Sequence, residues 1–188
     1  SGTTAEMIAA LVTAETKVVV SDATVTITNT PTIAELNAIA AKTTGVVTAT
    51  LAANSLANLA ALSTAGTDAI TITVNDADAT AVTAANLSAL GGKTAGVVTV
   101  SNEVAISGTT AEMIAALVTA ETKVTASSSS LTISDTPTSA QLAALDNATT
   151  GTITYSEGGS GGGGGGNNDA ITGTVAEVIE TLESKSSD

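Results

Sequence analysis

Two stretches of this sequence place oxygen ligands at spacings that suit a hard cation. Asn75-Asp76-Ala77-Asp78 sets two carboxylates at alternate positions of a polar turn. Residues 164–172 follow the calcium-binding nonapeptide Gly-Gly-x-Gly-x-Asp-x-apolar-x, with Asp169 at the acidic position and Asn167 where the third glycine belongs. That nonapeptide works as stacked copies sharing ions between turns, and here it occurs once. Asp76, Asp78 and Asp169 are therefore candidate calcium ligands, set against the simpler reading in which Asx side chains and glycines build turns.

Proton-transfer or nucleophilic chemistry has little else to draw on. The chain has no His and no Cys, which leaves acids, lysines and hydroxyls. Glu6, Glu35, Glu112 and Glu177 each stand three residues after a Thr, the spacing of a capping box, so their recurrence is structural. No motif marks a Ser-Lys pair, and no catalytic or cofactor-binding residue is assigned. The chain is expected not to be an enzyme and, calcium apart, to carry no cofactor.

The elements that must position these residues are constrained by composition. With no Phe or Trp and one Tyr among 188 residues, a core has to be built from Val, Ile, Leu and Ala, which suits a thin cross-section. Eighteen acids against five basic residues give a net charge of −13, which repels nucleic-acid phosphates and anionic membrane surfaces. Without Cys there is neither a disulfide framework nor a thiolate metal site. No run of about eighteen apolar residues exists to span a bilayer, and no signal peptide is visible at the start.

Internal repetition is the strongest signal. Residues 1–18 reappear identically as 107–124, and a four-residue pattern of large apolar, any, small, large apolar begins at Ile8, Leu36, Leu59, Leu87, Ile114, Leu142 and Ile179. The intervals are 28, 23, 28, 27, 28 and 37 residues. Before each copy stands a helix-start pair: Thr3 and Glu6, Thr32 and Glu35, Ser55 and Asn58, Thr83 and Asn86, Thr109 and Glu112, Thr138 and Gln141, Thr174 and Glu177. Pro31 and Pro137 precede two of the caps. Lys17, Lys42, Lys93 and Lys123 fall where the helices should end, complementing the dipole.

Between helices the period changes to two, at residues 24–28, 46–51, 69–74, 97–100 and 152–155. Val, Ile and Leu should face inward and Thr outward. Polar turns are expected at 21–22, 75–78, 101–102 and 127–130. Each unit leaves room for a helix of about twelve residues and one or two short strands. Strands separated by a helical crossover pair in parallel. The expected fold is an α/β repeat, a right-handed β-α solenoid with parallel sheets on one side and short helices on the other. Residues 1–157 form the array, 158–168 a glycine-rich insertion loop, 169–182 a resumed final repeat and 183–188 a frayed tail.

Copies such as Thr109-Thr110-Ala111-Glu112-Met113-Ile114-Ala115-Ala116-Leu117 and Thr136-Pro137-Thr138-Ser139-Ala140-Gln141-Leu142-Ala143-Ala144-Leu145 resemble the Ala/Thr-rich tandem repeats of giant secreted surface proteins of bacteria, including marine cyanobacteria. The resemblance covers residues 3–155 and resumes at 170. It implies a spacer, matrix or adhesive role outside the cell or at its surface and transfers no functional residue. The chain is expected to be a fragment of such a protein, with neighbouring repeats of the same or another chain stacking end to end on its helical ends. A calcium- or glycan-binding adhesion module is the second expectation. Ice binding through the outward Thr rows is a third.

Overall fold

The structure is a computed structural model. It describes residues 1–156 apart from Lys17 and Lys123, together with the backbone of 171–173. Among the described residues, helices and strands are interspersed, the helices being α1 (Thr4–Met7), continued by a π-wound turn (Ile8–Val12), α2 (Ile33–Ala40), α3 (Leu56–Leu59), α4 (Ala84–Gly91), α5 (Thr110–Leu117) and α6 (Ser139–Asp146). The strands are β1 (Val25–Thr26), β2 (Val47–Thr50), β3 (Ala69–Val74), β4 (Ala81–Thr83), β5 (Val98–Val100), β6 (Ala105–Gly108), β7 (Ser130–Ile133), β8 (Ile153–Tyr155) and β9 (Ile171–Gly173).

The fold is α/β, with two sheets of order β1-β2-β3-β5 and β4-β6-β7-β8-β9. Every pairing among β1 to β8 is parallel, as helical crossovers require. β9 departs from this and runs antiparallel to β8, Tyr155 opposite Ile171. The expectation of a parallel final repeat therefore fails at its strand. The segment joining β8 to β9 is mostly glycine and carries no apolar helical period, so nothing in its sequence supplies the crossover that a parallel return needs.

Helices start where the sequence marks them. Thr3, Thr32, Thr109 and Thr138 each accept a hydrogen bond from the N–H three residues on, and Glu6, Glu35, Glu112 and Gln141 reach back to the cap N–H. Ser55 and Thr83 accept from Asn58 and Asn86 without the reciprocal bond, because the Asn side chain is one methylene shorter. The helices are eight residues or four, not twelve. After α2, α4 and α6 a turn containing Thr-x-Gly (Thr43, Thr94, Thr149) stops the helix and feeds the next strand. Lys42 and Lys93 accordingly lie beyond the last turns of α2 and α4, neither of which contains a basic residue. Lys17 and Lys123 lie outside the described residues.

The strands bury Val, Ile and Leu and turn Thr outward, as in β2, where Val47 and Ala49 are buried while Thr48 and Thr50 are exposed. One connected apolar core runs from Leu11 to Tyr155 and includes Leu36, Ile39, Leu59, Leu62, Leu87, Leu90, Leu142 and Leu145. In α5 the buried set shifts to Met113, Ala116 and Leu117, while Ile114 only packs against the core. Ser130, expected in a polar turn, begins β7, whose ladder with β6 claims it. β4 and β6 are likewise strands that the alternation did not mark. The insertion loop 158–168, the helical part of the resumed repeat and the tail 183–188 lie outside the described residues.

Candidate functional site

The turn joining β3 to β4 carries the first pair of calcium candidates and gives each a backbone partner on a different segment. Asp76 accepts from the N–H of Leu56, the first residue of α3, at 2.7 Å. Asp78 accepts from the N–H of Glu103 at 3.0 Å. The Asn102 side chain donates to the Asp76 carbonyl at 2.7 Å, and Ala79 completes the turn with φ 59°. Among the described residues no group of three or more acids is gathered to hold a metal. Asp169 lies outside the described residues.

Asp76 is one of three side chains with the same task. Asn29 accepts from both the N–H and the hydroxyl of Thr4, at 2.7 and 2.8 Å. Asp135 accepts from both groups of Thr110 at 2.7 Å. Each supplies an acceptor to the first N–H of the helix one unit earlier, a donor that no helix can satisfy internally. Anions are favoured at that end of the dipole. The Thr110 hydroxyl, with its N–H, holds the Asp135 carboxyl below the usual carboxylate range. The Thr3 and Thr32 N–H groups, with their hydroxyls, do the same for Glu6 and Glu35.

A second clamp recurs at the Thr-x-Gly turns. Thr43 donates to the Ala23 carbonyl at 2.7 Å and accepts from Gly45, and Thr149 donates to Ser129 at 2.6 Å and accepts from Gly151. The buried Thr94 hydroxyl lies 2.8 Å from the carbonyls of Asp68 and Ile70 and accepts from the N–H groups of Ile70 and Gly96. Glycine is obligatory beside it: a Cβ on Gly96 would lie 2.3 Å from the Ile70 carbonyl oxygen. Asp68, also buried, accepts from Val47 at 2.8 Å and Ala65 at 2.9 Å. The only sequence signal for these groups is the repetition of Thr-x-Gly and Asx-Thr-Pro-Thr.

A groove of about 280 Å³ lies between α3 and α4, walled by Leu56, Ala57, Ala60, Val82 and Leu90 and rimmed by Asp76, Thr83 and Lys93. It lies beside α3, which has a single turn. Lys93 spans the gap and donates to the carbonyls of Ala60 at 2.7 Å and Leu62 at 2.6 Å. The lysine thus complements the end of its neighbour's helix rather than of its own. Asp76, Thr83 and Lys93 each hold a backbone partner above an apolar floor.

The outward hydroxyls line up in register. Thr83, Ser107, Thr132 and Thr154 occupy one row of the second sheet, and the backbone register continues to Thr172. Thr73, Thr99 and Thr125 occupy a row of the first. No helix among the described residues is long and apolar enough to cross a membrane. Comparison of the chain with protein-family models, with curated proteins and with solved structures gave no match.

Proposed function

We propose that this chain is a non-catalytic structural segment of a large extracellular or cell-surface bacterial protein or fibre, acting as a spacer, matrix or adhesive element. Its units are read as successive turns of a right-handed β-α solenoid, parallel sheets on one side and short helices on the other. One observation carries the proposal: among the described residues, recurrent polar side chains join a unit to its neighbour. Asn29, Asp76 and Asp135 cap the preceding helix, Thr43, Thr94 and Thr149 tie adjacent strands, and Lys93 closes the preceding helix end. An active site needs such groups facing substrate and each other. Here the fold uses them as mortar, which favours mechanical continuity over catalysis.

Small-angle scattering in dilute solution tests the architecture. A rod-like profile is expected, and the radius of gyration of a compact sphere of this length would overturn it. Melting with and without millimolar calcium tests the adhesive variant, because an ion bound only by the folded state must raise the midpoint. No shift is expected.

The in-register hydroxyl row through Thr83, Ser107, Thr132 and Thr154 favours a second reading, a glycan-facing adhesion surface. It repeats a hydroxyl at the strand spacing of about 4.8 Å. Retention on a polysaccharide column that is abolished by Thr132→Val together with Thr154→Val would support it, and no retention of the parent chain would remove it. Ice binding through the same rows predicts inhibited recrystallisation at micromolar protein.

A further inference from the structure

The identical segments 1–18 and 107–124 have the same surroundings on one side and different ones on the other. On the following side the match is close: Gly2 pairs with Ile27 and Gly108 with Ile133, and Asn29 and Asp135 cap Thr4 and Thr110 alike. On the preceding side, segment 107–124 is covered by residues 81–100. β4 pairs with β6, α4 packs on α5 and Thr99 of β5 pairs with Thr125. The fit is close enough that a Cβ on Gly91 would lie 2.1 Å from the Thr122 carbonyl oxygen, and the Ala84 methyl sits 3.2 Å from where a Gly108 Cβ would be.

The corresponding face of segment 1–18 is uncovered in this chain. Val18 is 60% exposed where Val124 is 1%. Met7 and Ala10 are only partly buried where Met113 and Ala116 are fully so. Val19, which occupies the position of the β5-paired Thr125, is 87% exposed.

We infer that the face formed by Met7, Ala10, Val18 and Val19 is a docking site for a β4-α4-β5 unit of the kind formed by residues 81–100. The inference rests on the proposed array and adds the identity of the partner. The partner brings small residues at the Ala84 and Gly91 positions, an edge strand for Ser1, as β4 is for Ser107, and a second strand for Val19. The recognition is apolar packing closed by backbone hydrogen bonds, the same contact the chain already makes once within itself.

The test uses the chain's two methionines, one in each environment. Peroxide oxidises an accessible thioether far faster than a buried one, so in the chain as it stands Met7 should react at least about tenfold faster than Met113. A tandem chain, residues 1–106 followed directly by residues 1–188, recreates the 106–107 junction ahead of the second Met7. In the tandem that second Met7 should slow to the rate of Met113, while the first Met7 stays fast. An unchanged second Met7 overturns the inference, and so does a tandem that does not fold, since its junction is one the native chain already accommodates. Protection of Met7 in the single chain with rising concentration would instead make a second copy the occupant. None of these outcomes bears on the rod-like profile, so a failure of the docking face is distinguishable from a failure of the array.

Discussion

Residues 1–18 and 107–124 are the same eighteen amino acids in two settings, and the comparison separates what a segment specifies for itself from what its neighbours decide. Both copies make the capping box, Thr3 with Glu6 and Thr109 with Glu112. Both close the helix by an N–H donated five residues back, Thr13 to Ile8 and Thr119 to Ile114, at 2.9 Å. Thr16 and Thr122 donate alike to Ala9 and Ala115. Yet the first copy is π-wound over Ile8–Val12, whereas the second is α-helical over Thr110–Leu117. Only the second has α4 against it. Hydrogen bonds within the segment are local properties, while core membership follows the neighbour.

The largest effect should come from giving the second copy the surroundings of the first. Gly91→Val drives a side chain into the Thr122 backbone and should cost about 3 kcal/mol or more in urea unfolding. Met113 should then oxidise nearly as fast as Met7, and a Met113 that stays protected would show that α4 does not cover it. Next come the methionines themselves. Met113→Ala leaves a cavity in a filled core and should cost about 3 kcal/mol, whereas Met7→Ala should cost less than about 1 kcal/mol. Equal losses would mean that the two settings do not differ in solution.

The Thr-x-Gly clamps act from the following unit, which both copies possess. Thr43→Val and Thr149→Val should therefore cost similar amounts, about 1–2 kcal/mol each, by orphaning a carbonyl and a glycine N–H. The smallest contrast is in pH, because the helix of the first copy is capped by neutral Asn29 and that of the second by Asp135. The Asp135 carboxyl is held below its usual range by the Thr110 hydroxyl and N–H, so the unfolded chain binds its proton more readily than the folded one. Its contribution is full above the ordinary carboxylate value and is lost as pH falls from that value through the lower folded one. Across that range amide exchange at Thr110 should quicken relative to Thr4, and Asp135→Asn should abolish the difference.

Much of the fold was legible because its signals are short-range. Capping boxes lie within four residues, and alternation at 24–28, 46–51, 69–74, 97–100 and 152–155 located β1, β2, β3, β5 and β8 to within a residue or two. The strands β4, β6 and β7 were not legible, since Ala81-Val82-Thr83 has one large apolar residue and β6 and β7 have one and two. Nothing periodic distinguishes so short a run until a neighbouring strand pairs with it. Lengths of helices were overestimated because the Thr-x-Gly stop works through carbonyls of another unit. The candidate site was legible in its residue types and not in their partners: Asp76 and Asp78 stood out as oxygen ligands, and the structure spends them on the N–H groups of Leu56 and Glu103.

What the sequence determined by itself is the inventory of units: where helices start, which strand face is apolar, and that no aromatic core is available. Those follow from interactions within a few residues, set by side-chain shape and hydrogen-bonding valence. Only the tertiary structure decided which unit covers which and which acids cap a neighbour, and whether Met7 or Met113 joins the core. Those outcomes depend on contacts twenty or more residues apart, where identical segments meet different partners.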